Sequence, residues 1–167
     1  LFTHAPLFNV KGEDQAMATG HDHAPRILDG ALRIAAREGW RAASLAAIAA
    51  ESGLPLLEVY RRYPSRTAIL AGLLDRTDEA VLEGIAPDLA EPVRDRLFEV
   101  VMRRFDALKP HKAGIAGVAH ALTGDPVGVA CLGPRFLRSM GWMLESAGVD
   151  SSGWRGALRA KGLAAVY

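Results

Sequence analysis

The chain has 167 residues, half of them hydrophobic, a formal net charge of +1 and one cysteine. That is enough apolar material for one domain, or for a small domain sharing a core with a medium one, and Cys131 has no second thiol with which to close an internal disulfide. No apolar run approaches the roughly 20 residues that a membrane-crossing helix needs, and nothing resembles a secretory leader, so a soluble, cytoplasmic protein is expected.

Residues 1–23 (LFTHAPLFNVKGEDQAMATGHDH) show neither helical nor strand periodicity and read as a tail. Met17 lies just before the first periodic stretch, so native translation could begin there, with residues 1–16 foreign to the natural chain. His21 and His23 are two histidines in a tail, too few to define a metal site. A first helix is predicted over Pro25 to Glu38, opened by a proline in its first turn and ended by Gly39. Ile27, Ala31, Ile34 and Ala35 share one of its faces, Arg26, Arg33 and Arg37 fall mostly elsewhere, and Trp40 should close a small core.

From Ser44 to Arg66 the sequence reads SLAAIAAESGLPLLEVYRRYPSR. One apolar run (Leu45, Ile48, Ala49) stops at Gly53 and a second (Leu57, Val59, Tyr60) begins almost at once, which describes two helices joined by a tight turn. Ser44 suits an N-cap, Gly53 suits the left-handed residue that ends a helix, and Ala49 is small where the helices cross. This is a helix-turn-helix pattern, whose second helix is normally presented to the DNA major groove. The residues Ser44, Ile48-Ala49, Gly53, Tyr60 to Arg66 and Ile69-Leu70 together resemble the DNA-binding domain of the TetR family. The resemblance covers Ala24 to Arg76, with Tyr63 where the family usually has Phe and Arg66 where it has Lys.

The resemblance implies an all-α fold: a helix-turn-helix domain over residues 24–66 and a helical ligand-binding and dimerisation domain over 67–167. It also implies a homodimer on double-stranded DNA, with a pseudo-palindromic operator, acting as a ligand-responsive repressor without a cofactor. Candidate DNA contacts are Ser44, Leu56, Tyr60, Arg61, Arg62 and Arg66. Each has a second reading: Ser44 as a cap alone, Tyr60 and Tyr63 as core aromatics, and the three arginines as solvated charge. Between Arg26 and Arg66 seven arginines stand against four acids, an excess of three that suits phosphate contact.

The reading helix departs from its relatives. Where they usually place Ser, Lys, Gly and Thr, this chain has Pro55, Leu56, Leu57 and Glu58. Leucine can touch a thymine methyl but makes no bidentate hydrogen bond, and glutamate accepts only from cytosine. Binding dominated by phosphate contacts, and hence strongly salt-dependent, is expected.

Ser65 should cap a connecting helix from Arg66 to Gly84, followed by a linker over Ala86 to Pro92 that its prolines keep from continuing the helix. Val93 to Leu108 is predicted as an amphipathic helix with Leu97, Phe98, Val101, Met102, Phe105 and Leu108 inward and an exposed Glu99–Arg103 pair, ended by Lys109-Pro110. His111 to Leu122 is a small-residue helix whose Gly114 and Gly117 permit either close helix approach or space for a ligand. Thr123 to Pro126 is a turn, Pro126 to Leu132 a short helix, Pro134 to Ala147 another, and Trp154 to Tyr167 a last helix after Gly148. In the TetR family the final helices pair with a twofold mate as a four-helix bundle. Met102, Phe105, Leu122, Phe136 and Met140 are candidate lining residues for an apolar effector.

The stretch from Arg138 to Tyr167 also resembles the TetR-fold lipid-binding accessory protein of ubiquinone biosynthesis, which implies a lipid-like ligand and no DNA-binding role. No nucleophile elbow, phosphate loop or dinucleotide fingerprint occurs, and His111 and His120 share no obvious helical face, so an enzyme is the least favoured class. Cys131 is read as a buried structural thiol.

Overall fold

The computed structural model describes residues 11–84 and 87–166, with side chains from His23 onward. Every regular element among them is helical: α1 (Lys11–Glu38), α2 (Leu45–Ser52), α3 (Leu56–Arg62), α4 (Arg66–Leu82), α5 (Val93–Leu108), α6 (Lys112–Leu122), α7 (Pro126–Ser146) and α8 (Gly153–Val166), with 3-10 turns at Trp40–Ala42 and Lys109–His111.

The local signals account for most boundaries. The Ser44 hydroxyl accepts a hydrogen bond from the Ala47 amide at 3.1 Å, and that of Ser65 from the Ala68 amide at 3.0 Å, each satisfying a donor that the first turn leaves orphaned. Gly53 closes α2 at φ 63°, a conformation in which a side chain would clash. At seven residues, α3 is too short to persist alone. It exists because Val59 and Tyr63 anchor it in the core.

Several expectations are corrected. The first helix begins at Lys11 rather than Pro25, and Pro25 lies inside it. Its early turns are supplied with good helix formers such as Glu13, Gln15, Ala16 and Met17, and one proline removes one backbone donor, so helix forms where no apolar stripe announces it. The tail assigned to residues 1–23 is therefore helical from Lys11 onward, while residues 1–10 lie outside the described part. The two short helices on either side of Pro134 are one continuous helix, α7. An internal proline costs about 3 kcal/mol, and burial of Leu132 before it and of Met140, Met143 and Leu144 after it offsets that cost. Cys131, expected inside, is exposed on this helix.

The side chains form two cores. The first gathers Ile27, Ala31, Ile34, Trp40, Ile48, Val59, Tyr63 and Ile69 and extends through Val118 of α6 to Leu132 of α7. The second joins Val81, Val100, Met140, Met143, Leu144 and Ala160. Gly114 and Gly117 resolve toward close approach: a Cβ at either position would fall on the carbonyl oxygen of Leu32 or Ala35 in α1.

Helix α5 has the expected bounds but a different inward face. Arg96, Val100 and Arg104 are buried, Leu97 and Val101 pack only partly against the second core, and Phe98, Met102 and Phe105 are exposed. The reason is electrostatic. Arg104 Nη1 donates to Asp78 of α4 at 2.6 Å, and Arg96 Nη1 donates to the Ala147 carbonyl at the end of α7 at 2.8 Å. With one nitrogen of each guanidinium hydrogen-bonded inside the fold, their long stems occupy the space the apolar stripe was expected to fill.

Candidate nucleic-acid interface and effector cavity

Helix α3 lies across α1 and α2 with Val59 and Tyr63 inward, which leaves Leu56, Leu57 and Tyr60 about half exposed on its outer face. Tyr60 is thus no core aromatic, whereas Tyr63 is. Tyr63 sits over Gly72 of α4, where any Cβ would strike its ring, and burial pushes its phenol pKa up.

The arginines divide sharply. Arg26 donates to the Ser52 carbonyl at 2.8 Å, and Arg33 and Arg37 donate to Glu51 at 2.7 and 2.9 Å. Hydrogen bonds from Arg37 first and Arg33 second hold the Glu51 carboxyl down at about 2. Arg66, expected on DNA, turns inward. Its Nη2 donates to the Trp40 carbonyl at 2.5 Å and its guanidinium lies 5.1 Å from the Trp40 ring centroid, while its Nε is buried. It braces the start of α4 against the first core and is not placed to meet phosphate. Arg61 pairs with Glu58 at 2.9 Å on the outer surface, and Arg62 is exposed beside the Tyr63 ring. Ser44 is exposed at the start of α2, three residues after Arg41, an exposed arginine of the local positive excess that is not among the candidate contacts given above. The local excess of positive charge is therefore largely consumed by structural contacts.

Behind this head, α4, α5, α6 and α7 line a cavity of about 310 Å³ that is partly open to the surface. Its wall includes Leu70, Leu73, Leu74 and Thr77 of α4, Arg104 and Leu108 of α5, Ile115 and Leu122 of α6, and Leu132 and Phe136 of α7. Of the five lining residues expected from sequence, Leu122 and Phe136 line it. Met102 and Phe105 lie on the exposed side of α5, and Met140 is sealed in the second core. The face reversal of α5 explains the first two. Nothing local in α4 indicates that Leu70, Leu73, Leu74 and Thr77 border space, because the cavity forms only where four helices meet. At the wall, Arg104 and the Ser139 hydroxyl both donate to Asp78.

His111 Nε2 lies 3.8 Å from Asp29, and His120 is exposed. No group of three or more His, Cys, Asp or Glu side chains able to hold a metal occurs among the described residues, and no described helix is long and apolar enough to cross a membrane.

The family model for "Bacterial regulatory proteins, tetR family" matches residues 27–73, which span the buried face of α1, all of α2 and α3, and the first half of α4. Residues 27–73 thus match the DNA-binding domain model of the tetR family. Beyond it, the fold is similar to the crystal structure of a TetR transcriptional regulator from Rhodococcus sp. RHA1, with a TM-score of 0.61 at 19% identity over 87% of this chain and 79% of that one. No protein with a curated description matches. The matched domain, in which α2 and α3 form the helix-turn-helix, supports a DNA-binding transcriptional regulator.

Proposed function

We propose that this protein is a ligand-responsive repressor that binds a pseudo-palindromic operator as a homodimer. The observation that carries the reading is the double engagement of α4. Its first half seats α3 through Gly72 and Tyr63, and Leu70, Leu73, Leu74 and Thr77 form one wall of the apolar cavity. A molecule that fits the cavity better in one position of α4 than in another would shift the heads accordingly. The cavity admits an apolar effector of modest size. Exposed Trp142 of α7 and Trp154 and Leu158 of α8 suit burial against a second copy.

Ser44, Arg41, Tyr60, Arg61 and Arg62 are the proposed phosphate contacts, with Leu56 facing bases. A salt titration with random duplex tests this. Each phosphate contact contributes a slope of about −0.9 in log K against log salt, so Arg62→Ala should flatten the dependence by about that amount per head. Arg66→Ala should instead lower the melting temperature. Absence of duplex binding at low salt would sink the reading. The alternative, a lipid-binding accessory protein without a DNA role, is favoured by the leucines on α3 and by the apolar cavity. Solvent extraction and mass spectrometry of the purified protein would support it by revealing an isoprenoid or other lipid in a protein that binds no duplex.

A further inference from the structure

We propose that Leu56 and Leu57 read thymine methyl groups, so that the preferred half-site carries thymines where α3 faces the major groove. The inference rests on the assignment of α3 to DNA and goes beyond it by naming what the helix recognises. The outer face of α3 is formed by Leu56, Leu57 and Tyr60, at 51%, 53% and 57% exposure. Aliphatic side chains left this open on a seven-residue helix serve no core of their own chain.

Of the groups that could hydrogen-bond to base edges, Arg61 and Arg62 are the proposed phosphate contacts, and each also has a neighbour on the protein. Glu58 and Arg61 hold each other at 2.9 Å, and the Arg62 guanidinium lies 4.9 Å from the Tyr63 ring centroid. Pro55, at the start of the helix, offers no side-chain hydrogen bond. What remains for direct readout is apolar contact, with the Tyr60 hydroxyl as the one polar tip on that face. In the major groove the standard base pairs present a single apolar group, the C5 methyl of thymine. Leucine against the donors and acceptors of guanine or cytosine would strip their water without replacing it, which selects against those bases.

The test is a selection from a random-sequence duplex library, followed by synthesis of the enriched duplex with thymine, with deoxyuridine, and with 5-bromodeoxyuridine, whose bromine fills the space of the methyl. Enriched sequences should carry thymines at recurrent positions. Uracil at those positions should weaken binding about four-fold for each methyl lost, and bromouracil should restore it. In Leu56→Ala/Leu57→Ala, with helicity verified by circular dichroism, thymine and uracil duplexes should bind alike. Equal affinity of the wild type for both duplexes, or duplex binding with no sequence enriched, would overturn the inference while leaving DNA binding intact. Failure to bind any duplex at low salt would overturn both.

Discussion

Glu51 is where the polar contacts of the head converge, since Arg33 and Arg37 of α1 reach across to it on α2. Its carboxyl is held at about 2 against an ordinary 4.5, so the folded state binds a proton less readily than the unfolded chain. The stabilisation is fully present above pH 4.5 and is lost as the pH falls from there toward 2. Glu51→Gln should therefore melt lower than the wild type at pH 7, with the gap narrowing through that window; parallel thermal melts at pH 7, 4 and 2.5 decide it. The Arg104–Asp78 pair is a different case because both side chains are largely withdrawn from water. Arg104→Met leaves Asp78 with the Ser139 hydroxyl and no cation, and should cost about 3–5 kcal/mol in urea unfolding. Replacing both charges, as Arg104→Met/Asp78→Asn, should recover a large part of that loss.

Among the elements, α6 shows how small residues set a packing distance. A methyl at Gly117 would collide with the Ala35 carbonyl of α1, so Gly117→Ala should destabilise by about 1–3 kcal/mol despite alanine's better helix propensity. At Gly162 in α8 a Cβ meets nothing within 4 Å, and the same exchange should stabilise by about 0.5–1 kcal/mol. Opposite shifts in the denaturation midpoints of the two variants test the contrast. These elements also mark what could be read in advance. Caps at Ser44 and Ser65, the turn at Gly53 and the bounds of α5 are encoded within a few residues, and each matches its expectation. The inward face of α5 was not legible, because it depends on Asp78, 26 positions before Arg104. Likewise the sequence could place Arg66 beside the helix-turn-helix, but its turn toward the Trp40 carbonyl is a tertiary contact also spanning 26 positions. The continuity of α7 through Pro134 depends on burial along its whole length, which a local helix-breaking rule does not weigh.

At the scale of the whole molecule, α4 and α7 both contribute to the two cores, and α4 is tied to its neighbours by charge. Arg76 reaches Asp29 of α1 at 2.6 Å, Asp75 pairs with Arg135 of α7, and Asp78 takes Arg104 and Ser139. A displacement of α4 at the cavity must therefore be shared with the head, because Gly72 and Tyr63 leave no slack between α4 and α3. If occupancy of the cavity and operator binding favour different positions of α4, each must weaken the other by the same factor, about 5–150-fold for coupling of ordinary strength. N-phenylnaphthylamine, an apolar fluorophore, provides the probe. It should brighten on entering the cavity, lower the affinity for a selected duplex, and itself bind more weakly, by an equal factor, when that duplex is saturating. Leu122→Trp, which fills the wall between α6 and α7, should abolish the fluorescence and make duplex affinity indifferent to the dye. Unequal factors in the wild type would show that the dye acts elsewhere. Equal factors that persist in Leu122→Trp would move the coupling site out of this cavity.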